Sequence, residues 1–165
     1  MKTEMKKLKT RWYFLVAMVV VVLLTTLFVR IPIPSRGYFN FGDVAVVFAG
    51  LVLGPRGGCI AGALGSALAD VIGGFVMFAP LTLVAKGMEG LLSGMARGRS
   101  KTAAALLPLA GVLSMAALYF AGETLMPQIG LAGALAEIVP NLIQAAGAYL
   151  GGRALFAMYS RMERE

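Results

Sequence analysis

An 18-residue apolar run, WYFLVAMVVVVLLTTLFV, follows the basic stretch MKTEMKKLKTR. A helix needs about 20 apolar residues to cross the hydrocarbon of a bilayer, so this run is long enough to span it with little help. It exceeds the apolar region of a secretory signal, and no A-x-A-like cleavage site follows it. The expectation is therefore a retained first transmembrane helix. The rest of the chain is of the same kind. Of 165 residues, 59% are hydrophobic and 14% charged. A soluble domain of this size has no interior large enough to hide that much apolar surface, so the composition predicts an integral membrane protein.

Glycine and proline divide the apolar sequence into six stretches, at about 12–29, 42–53, 57–73, 80–96, 102–121 and 133–158. The breaks are RIPIPSRGYFNF, GPRGG, GGFVMFAP, RGRSK and GETLMPQIGLAG. The expected fold is all-α, with six transmembrane helices in a single domain over residues 1–165. The second and third stretches are near or below spanning length, so a tilted or re-entrant hairpin is an alternative there. Lys and Arg set the orientation. Lys2, Lys6, Lys7, Lys9 and Arg11 precede the first span, and Arg56 lies between the second and third. Arg97, Arg99 and Lys101 lie between the fourth and fifth, and Arg161 and Arg164 follow the sixth. Six spans bring all of these to one side and leave Arg30 and Arg36 on the other. The positive-inside rule then places both termini in the cytoplasm. The net charge of +7 thus reads as topology rather than as a nucleic-acid footprint, because the basic residues are not clustered as a DNA reader needs.

Polar side chains within apolar segments carry the functional signal. A charge at the centre of a bilayer costs roughly 2.5–3.5 kcal/mol on insertion scales, so such residues face a bundle interior or a wet cavity. In PLTLVAKGMEGLLSG, Lys86 lies six residues past Pro80 and Glu89 three further on. At about 1.5 Å per residue, Lys86 is roughly 9 Å along its helix, with Glu89 on an adjacent face. Either the two form an internal ion pair or one or both contact a polar ligand. Glu137, Asn141, Gln144 and Ala148 fall at i, i+4, i+7 and i+11, which is one face of the sixth span. A carboxylate and two amides stacked this way suit hydrogen bonding to a heteroaromatic ring, and equally suit polar packing between helices. Pro140 interrupts that face and is a candidate kink. In the third span, Gly58, Gly62, Ser66 and Asp70 form one row, and Ala61, Gly65, Ala69 and Gly73 a second. Small-residue rows mark a packing helix, with Asp70 as the exception that reaches a cavity. Asn40 and Asp43 are placed to cap the second helix. Tyr38 and Phe39 are candidates for interfacial aromatics or a lid.

Several chemistries have no residues to perform them. One cysteine and no histidine leave neither an internal disulfide nor a plausible zinc site. No P-loop, Ser-His-Asp set, H-E-x-x-H or G-x-S-x-G is present. The only aspartates are Asp43 and Asp70, too few for a metal-dependent membrane phosphotransferase. No enzyme, metal or cofactor is expected, and energy for uphill transport must come from a partner or an ion gradient.

Three blocks now stand in order: YFNFGDVAVVFAGLVLGPRGGCIAGALGSALADVIGG, APLTLVAKGMEGLLSG and IVPNLIQAAGAYLGG. Together they resemble the substrate-binding S components of energy-coupling factor (ECF) vitamin transporters. The resemblance runs from Tyr38 to Gly152 and is nearest the branch labelled riboflavin-type or hydroxymethylpyrimidine-type. It implies a six-helix bundle in a prokaryotic cell membrane that captures a vitamin or precursor near the outer face. It also implies partners: a transmembrane coupling subunit and two cytoplasmic ABC ATPases that drive release inward. By position, the family's pocket maps onto Asn40 and Asp43 in the first loop and onto Lys86 and Glu89 in span four. Glu123 and Gln128 come from the fifth loop, and Glu137, Asn141 and Gln144 from span six. One departure is clear. The A-x-x-x-A that many S components carry on the first helix is missing, since Ala17 is followed by Val21, and the next such pair is Ala45 and Ala49 in span two. The competing reading is a small structural or assembly membrane protein without a small ligand.

Overall fold

Proline and glycine stand at the joints of the bundle. The computed structural model describes residues 2–32 and 38–164. Six helices follow one another: α1 (Lys2–Phe28), α2 (Gly42–Leu53), α3 (Pro55–Ile72), α4 (Ala79–Met95), α5 (Lys101–Leu125) and α6 (Gly130–Met162). Gly54, at φ 82°, turns the chain between α2 and α3, and Pro55 begins the next helix, where a missing N–H leaves no bond unmade. Pro80 occupies the first turn of α4 in the same way. Ser100 caps α5, its Oγ accepting a hydrogen bond from the Ala103 N–H at 3.3 Å. Helix α6 runs without interruption through Pro140.

The sequence reading expects helices alone. The structure adds a short antiparallel ribbon between α1 and α2, of β1 (Arg30–Pro32) and β2 (Tyr38–Asn40). Its register pairs Arg30 with Asn40, Ile31 with Phe39 and Pro32 with Tyr38. The side chains of Tyr38 and Phe39 lie outside the described residues, and with them the expectation of a lid. Helix α5 also continues through Leu125, so Glu123 belongs to its last turn and not to a loop. Nothing in AGETL stops a helix before Pro127.

Helix α2 sits at the centre. One cluster of buried side chains joins its Val47 and Leu51 to Ala85, Val112, Met115, Ala145 and Ala148 of α4, α5 and α6. A second joins its Ala45, Val46 and Ala49 to Val22 of α1 and Ala61 of α3. Ala45 and Ala49 are therefore interior packing residues, and that A-x-x-x-A offers no outward docking face. Behind α2, helices α3 and α4 meet backbone to backbone. A Cβ added to Gly58 would stand 2.3 Å from the Gly90 carbonyl oxygen, and one on Gly90 2.1 Å from that of Gly58. A Cβ on Gly62 would lie 2.4 Å from the Lys86 carbonyl oxygen. The small-residue row expected from the sequence is thus what allows this approach.

The distribution of polarity is inverted relative to a soluble protein. Asp43, Asp70, Lys86, Glu89 and Glu123 are each no more than 1% exposed, whereas Leu125 is 82% and Leu150 67% exposed. Helices α5 and α6 are long and apolar enough to cross a membrane, and Trp12–Phe28 and α2 are shorter apolar helices. An apolar exterior around a charged interior is the arrangement that lipid, not water, stabilises.

Candidate functional site

The buried polar side chains converge at one end of the bundle. A cavity there encloses about 330 Å³ of empty space including its mouth. It is lined by Asn40 from β2, Asp70 from the end of α3, Phe78, Thr82 of α4, Tyr119 and Glu123 of α5, and Glu137, Asn141 and Gln144 of α6. The two connections that reach it, through Asn40 of the ribbon and Phe78 of residues 73–78, lie at the same end. Trp12, Arg56, Arg97 and Tyr159 gather round a separate groove.

Helical spacing presents these groups together. Glu137, Asn141 and Gln144 are all buried, as the one-face pattern requires. Thr82 stands one turn before Lys86, and Tyr119 one turn before Glu123, so each pair shares a helix face. The Thr82 and Tyr119 hydroxyls lie 2.7 Å apart and tie α4 to α5 across the cavity. Sequence reasoning missed Thr82, Tyr119 and Phe78. The i, i+4 relation to a flagged charge was the signal available for the first of them, and for the second once Glu123 was in view.

Beneath the lining lies a charged floor. The Lys86 ammonium donates to Asp43 Oδ1 of α2 in a short contact, and approaches Glu89 Oε2 at 3.4 Å. The ion pair expected within α4 is therefore the weaker of two, and the main counter-ion comes from α2. Asp43 accordingly does not cap α2, because its carboxylate is engaged by Lys86 and Gln144. Asn40 is not the cap either, since Phe41 holds that position without a side-chain cap bond; Asn40 Oδ1 instead accepts from the Gly42 N–H at 2.7 Å, an Asx-type turn leading into the helix. Lys86 and Glu89 do not line the cavity themselves. Lys86 sits 5.5 Å from the Tyr119 ring centre, close enough for a cation–π contact with a ring that does line it.

Gln144 links the floor to the rim. Its Nε2 donates to Asp43 Oδ2 at 2.6 Å, and its Oε1 accepts the Asn40 backbone N–H at 2.8 Å. One amide thus joins α6, α2 and the ribbon. Gln128 stands apart: it is exposed in the turn between α5 and α6, outside the cavity lining. Among the described residues, no group of three or more acids, cysteines or histidines is placed to hold a metal ion. What the cavity offers is recognition: amides, hydroxyls and carboxylates converge on it, with two aromatic rings for stacking.

Comparison with known proteins agrees with this arrangement. The family described as "ECF-type riboflavin transporter, S component" matches residues 8–161. A Pyrococcus woesei protein titled "Uncharacterized protein in gap 3'region" is 40% identical over 136 residues, covering 79% of this chain and 89% of the relative. A membrane bundle with a buried polar cavity and no catalytic set is what a transporter's binding subunit requires, and the chain belongs to the S-component family of ECF transporters, as a substrate-binding subunit rather than an enzyme.

Proposed function

We propose that the chain captures a vitamin or vitamin precursor of the pyrimidine, pyridoxine or flavin kind at the outer face of the cell membrane. It then passes the ligand to an ATP-driven coupling module. The observation that carries this is the buried polar cavity at the end of the bundle away from Arg56 and Arg97. In this reading the whole chain, residues 1–165, is one transmembrane domain with both termini in the cytoplasm, and the cavity opens outward. Asn40, Asp70, Glu123, Glu137, Asn141 and Gln144 contact the ligand, joined by Thr82 and Tyr119. Asp43, Lys86 and Glu89 act from the floor, by holding Gln144 and the Tyr119 ring in place. A transmembrane coupling subunit and two ABC ATPases supply the energy, since the sequence carries no P-loop. The matched family is named for riboflavin, which makes riboflavin the first ligand to test.

The deciding experiment is mass spectrometry of small molecules released on denaturing the detergent-purified protein, followed by a thermal-shift screen of B vitamins and precursors. A bound heterocycle, with saturable micromolar binding on re-addition, is the expected result. A protein that is empty and binds none of the panel would instead favour a structural or assembly role.

A further inference from the structure

We propose that the groove at the end of the bundle away from the cavity binds an anionic phospholipid. The headgroup phosphate sits between Arg56 and Arg97, and an acyl chain lies along α1. Helix packing makes this groove. Helix α1 packs on α2 and α3, and α6 packs on α2 and α5. The end of α2 therefore lies between α1 and α6, and its Val52 and Leu53 form the base of the groove. Tyr159 of α6 stands on one wall, with the Phe48 ring of α2 edge-on to it at 6.0 Å. The space is about 1820 Å³ including its open side, against about 330 Å³ for the cavity. Along α1 the lining runs from Trp12 to Ala17, roughly 7.5 Å of helix. Trp12 and Tyr13 are 62% and 74% exposed and open the apolar run directly after the basic stretch, which is where aromatic rings sit at the headgroup level. The groove thus joins an interfacial end to an apolar wall, and a phospholipid carries both chemistries in one molecule.

Charge sets the sign of the occupant. Arg56 lies in the first turn of α3, and Arg97 follows the end of α4. The Arg97 side chain reaches back over the α2–α3 turn: a Cβ at Gly54, two residues before Arg56, would stand 3.9 Å from its Nη1. Both arginines are exposed, and neither has a carboxylate partner among the described residues. The described lining contains no Asp or Glu. Glu163, just past α6, accepts from the Tyr159 hydroxyl and lies outside that lining. The sequence before Trp12 carries five bases against one acid, Glu4, so its net charge has the same sign. Two guanidiniums that line one groove without a counter-ion repel each other. A phosphodiester between them accepts N–H donors from both. Basic pockets between helices at a membrane surface take lipid headgroups in this way. A zwitterionic headgroup offers the same phosphate together with its own cation, and so gains less.

The test is thermal-shift titration of the full chain in dodecyl maltoside with dioleoyl phosphatidylglycerol, dioleoyl phosphatidylcholine and inorganic phosphate, beside native mass spectrometry that counts retained lipid. The expected result is a saturable rise in melting temperature with phosphatidylglycerol and one retained molecule of it. Phosphatidylcholine should bind about tenfold more weakly or worse, and inorganic phosphate should have no effect. Arg56→Gln combined with Arg97→Gln should abolish the preference. Arg161→Gln combined with Arg164→Gln removes the same charge at exposed positions outside the lining and should keep it. Equal binding of the two lipids, or a preference that survives in the folded Arg56/Arg97 double variant, overturns the inference. Loss of the preference in both double variants also overturns it, because the attraction is then diffuse. An equal response to inorganic phosphate overturns it by showing an anion site without a lipid. No saturable response to either lipid overturns it and leaves the groove to a protein partner. Should the Arg56/Arg97 double variant fail to fold, the ranking of the three probes on the unsubstituted chain and on the Arg161/Arg164 double variant decides. None of these outcomes bears on ligand capture at the cavity.

Discussion

Lys86 holds two buried carboxylates, and this makes the three residues unequal to replace. Lys86→Met leaves Asp43 and Glu89 buried without a cation, and removing one partner of a buried pair costs about 3–5 kcal/mol. A large fall in thermal stability in detergent is therefore expected, together with weaker ligand binding, because Asp43 also positions Gln144. Unchanged affinity in a folded variant would show that the floor does not govern the cavity. Glu89→Gln should be the mild change. Glu89 is the more distant partner and its Oε1 has no hydrogen-bond partner among the described residues, so neutralising it relieves a surplus charge and leaves the Lys86–Asp43 pair intact. Melting temperatures of the two variants side by side test the ordering, and a Glu89→Gln variant as unstable as Lys86→Met contradicts it. The residues of this network differ in how visible they were. Lys86, Glu89, Glu137, Asn141 and Gln144 stood out because a charge or amide in an apolar helix is costly and its spacing reads directly as a face. The Lys86–Asp43 pair joins positions 43 residues apart, and no local pattern encodes such a pairing. Thr82 and Tyr119 are unremarkable residue types in a membrane helix, and only the folded arrangement gives them a site. Glu123 came from family resemblance, without a local sign of its importance.

Helix α3 against α4 is the contact where the elements approach most closely, and it rests on glycine. Gly90→Ala would drive a methyl group into the Gly58 carbonyl, and since the Cβ is fixed by its own backbone and the oxygen belongs to another, no side chain can turn aside. Overpacking of this kind costs about 1–3 kcal/mol or more, so the variant should melt well below the parent. Gly147 in α6 is the matched control, because a Cβ there meets nothing within 4 Å. Gly147→Ala should be neutral or stabilise by about 0.5–1 kcal/mol, through helix propensity alone. Equal melting temperatures for the two variants would mean that α3 and α4 do not pack this tightly. The small-residue rows of α3 were legible because they repeat every four residues, which is also why their packing role was plain. The β1–β2 ribbon was not legible: each strand has three residues, below the length at which alternation can be recognised. Helix ends shifted for a related reason. The fifth span is read from the sequence to about residue 121, with the break starting at Gly122, yet a single glycine is tolerated in a helix, and the chain stays helical to Leu125, close to Pro127.

At the scale of the whole molecule, polarity is arranged along the bundle as well as across it. Acids and amides collect at one end around the cavity, while Arg56 and Arg97 border the groove at the other. Under the orientation proposed above, the positive-inside rule predicts that the cavity faces outward and the arginines face the cytoplasm. That orientation makes functional sense, since a capture subunit must meet its ligand before any ATPase acts. It is testable without knowing the ligand. In a Cys59→Ser background the chain carries no other cysteine, so one introduced thiol reports one position. Gln128 and Arg99 are both exposed, in the turns that follow α5 and α4 respectively, and consecutive turns of an up-and-down bundle lie on opposite sides. A membrane-impermeant maleimide applied to intact cells should label Gln128→Cys and spare Arg99→Cys, and lysis should make both reactive. The reverse pattern would turn the molecule over, place the cavity in the cytoplasm and remove uptake from outside as its task. Labelling of both positions in intact cells would mean that the number of crossings between them is even, which the six-helix arrangement does not allow.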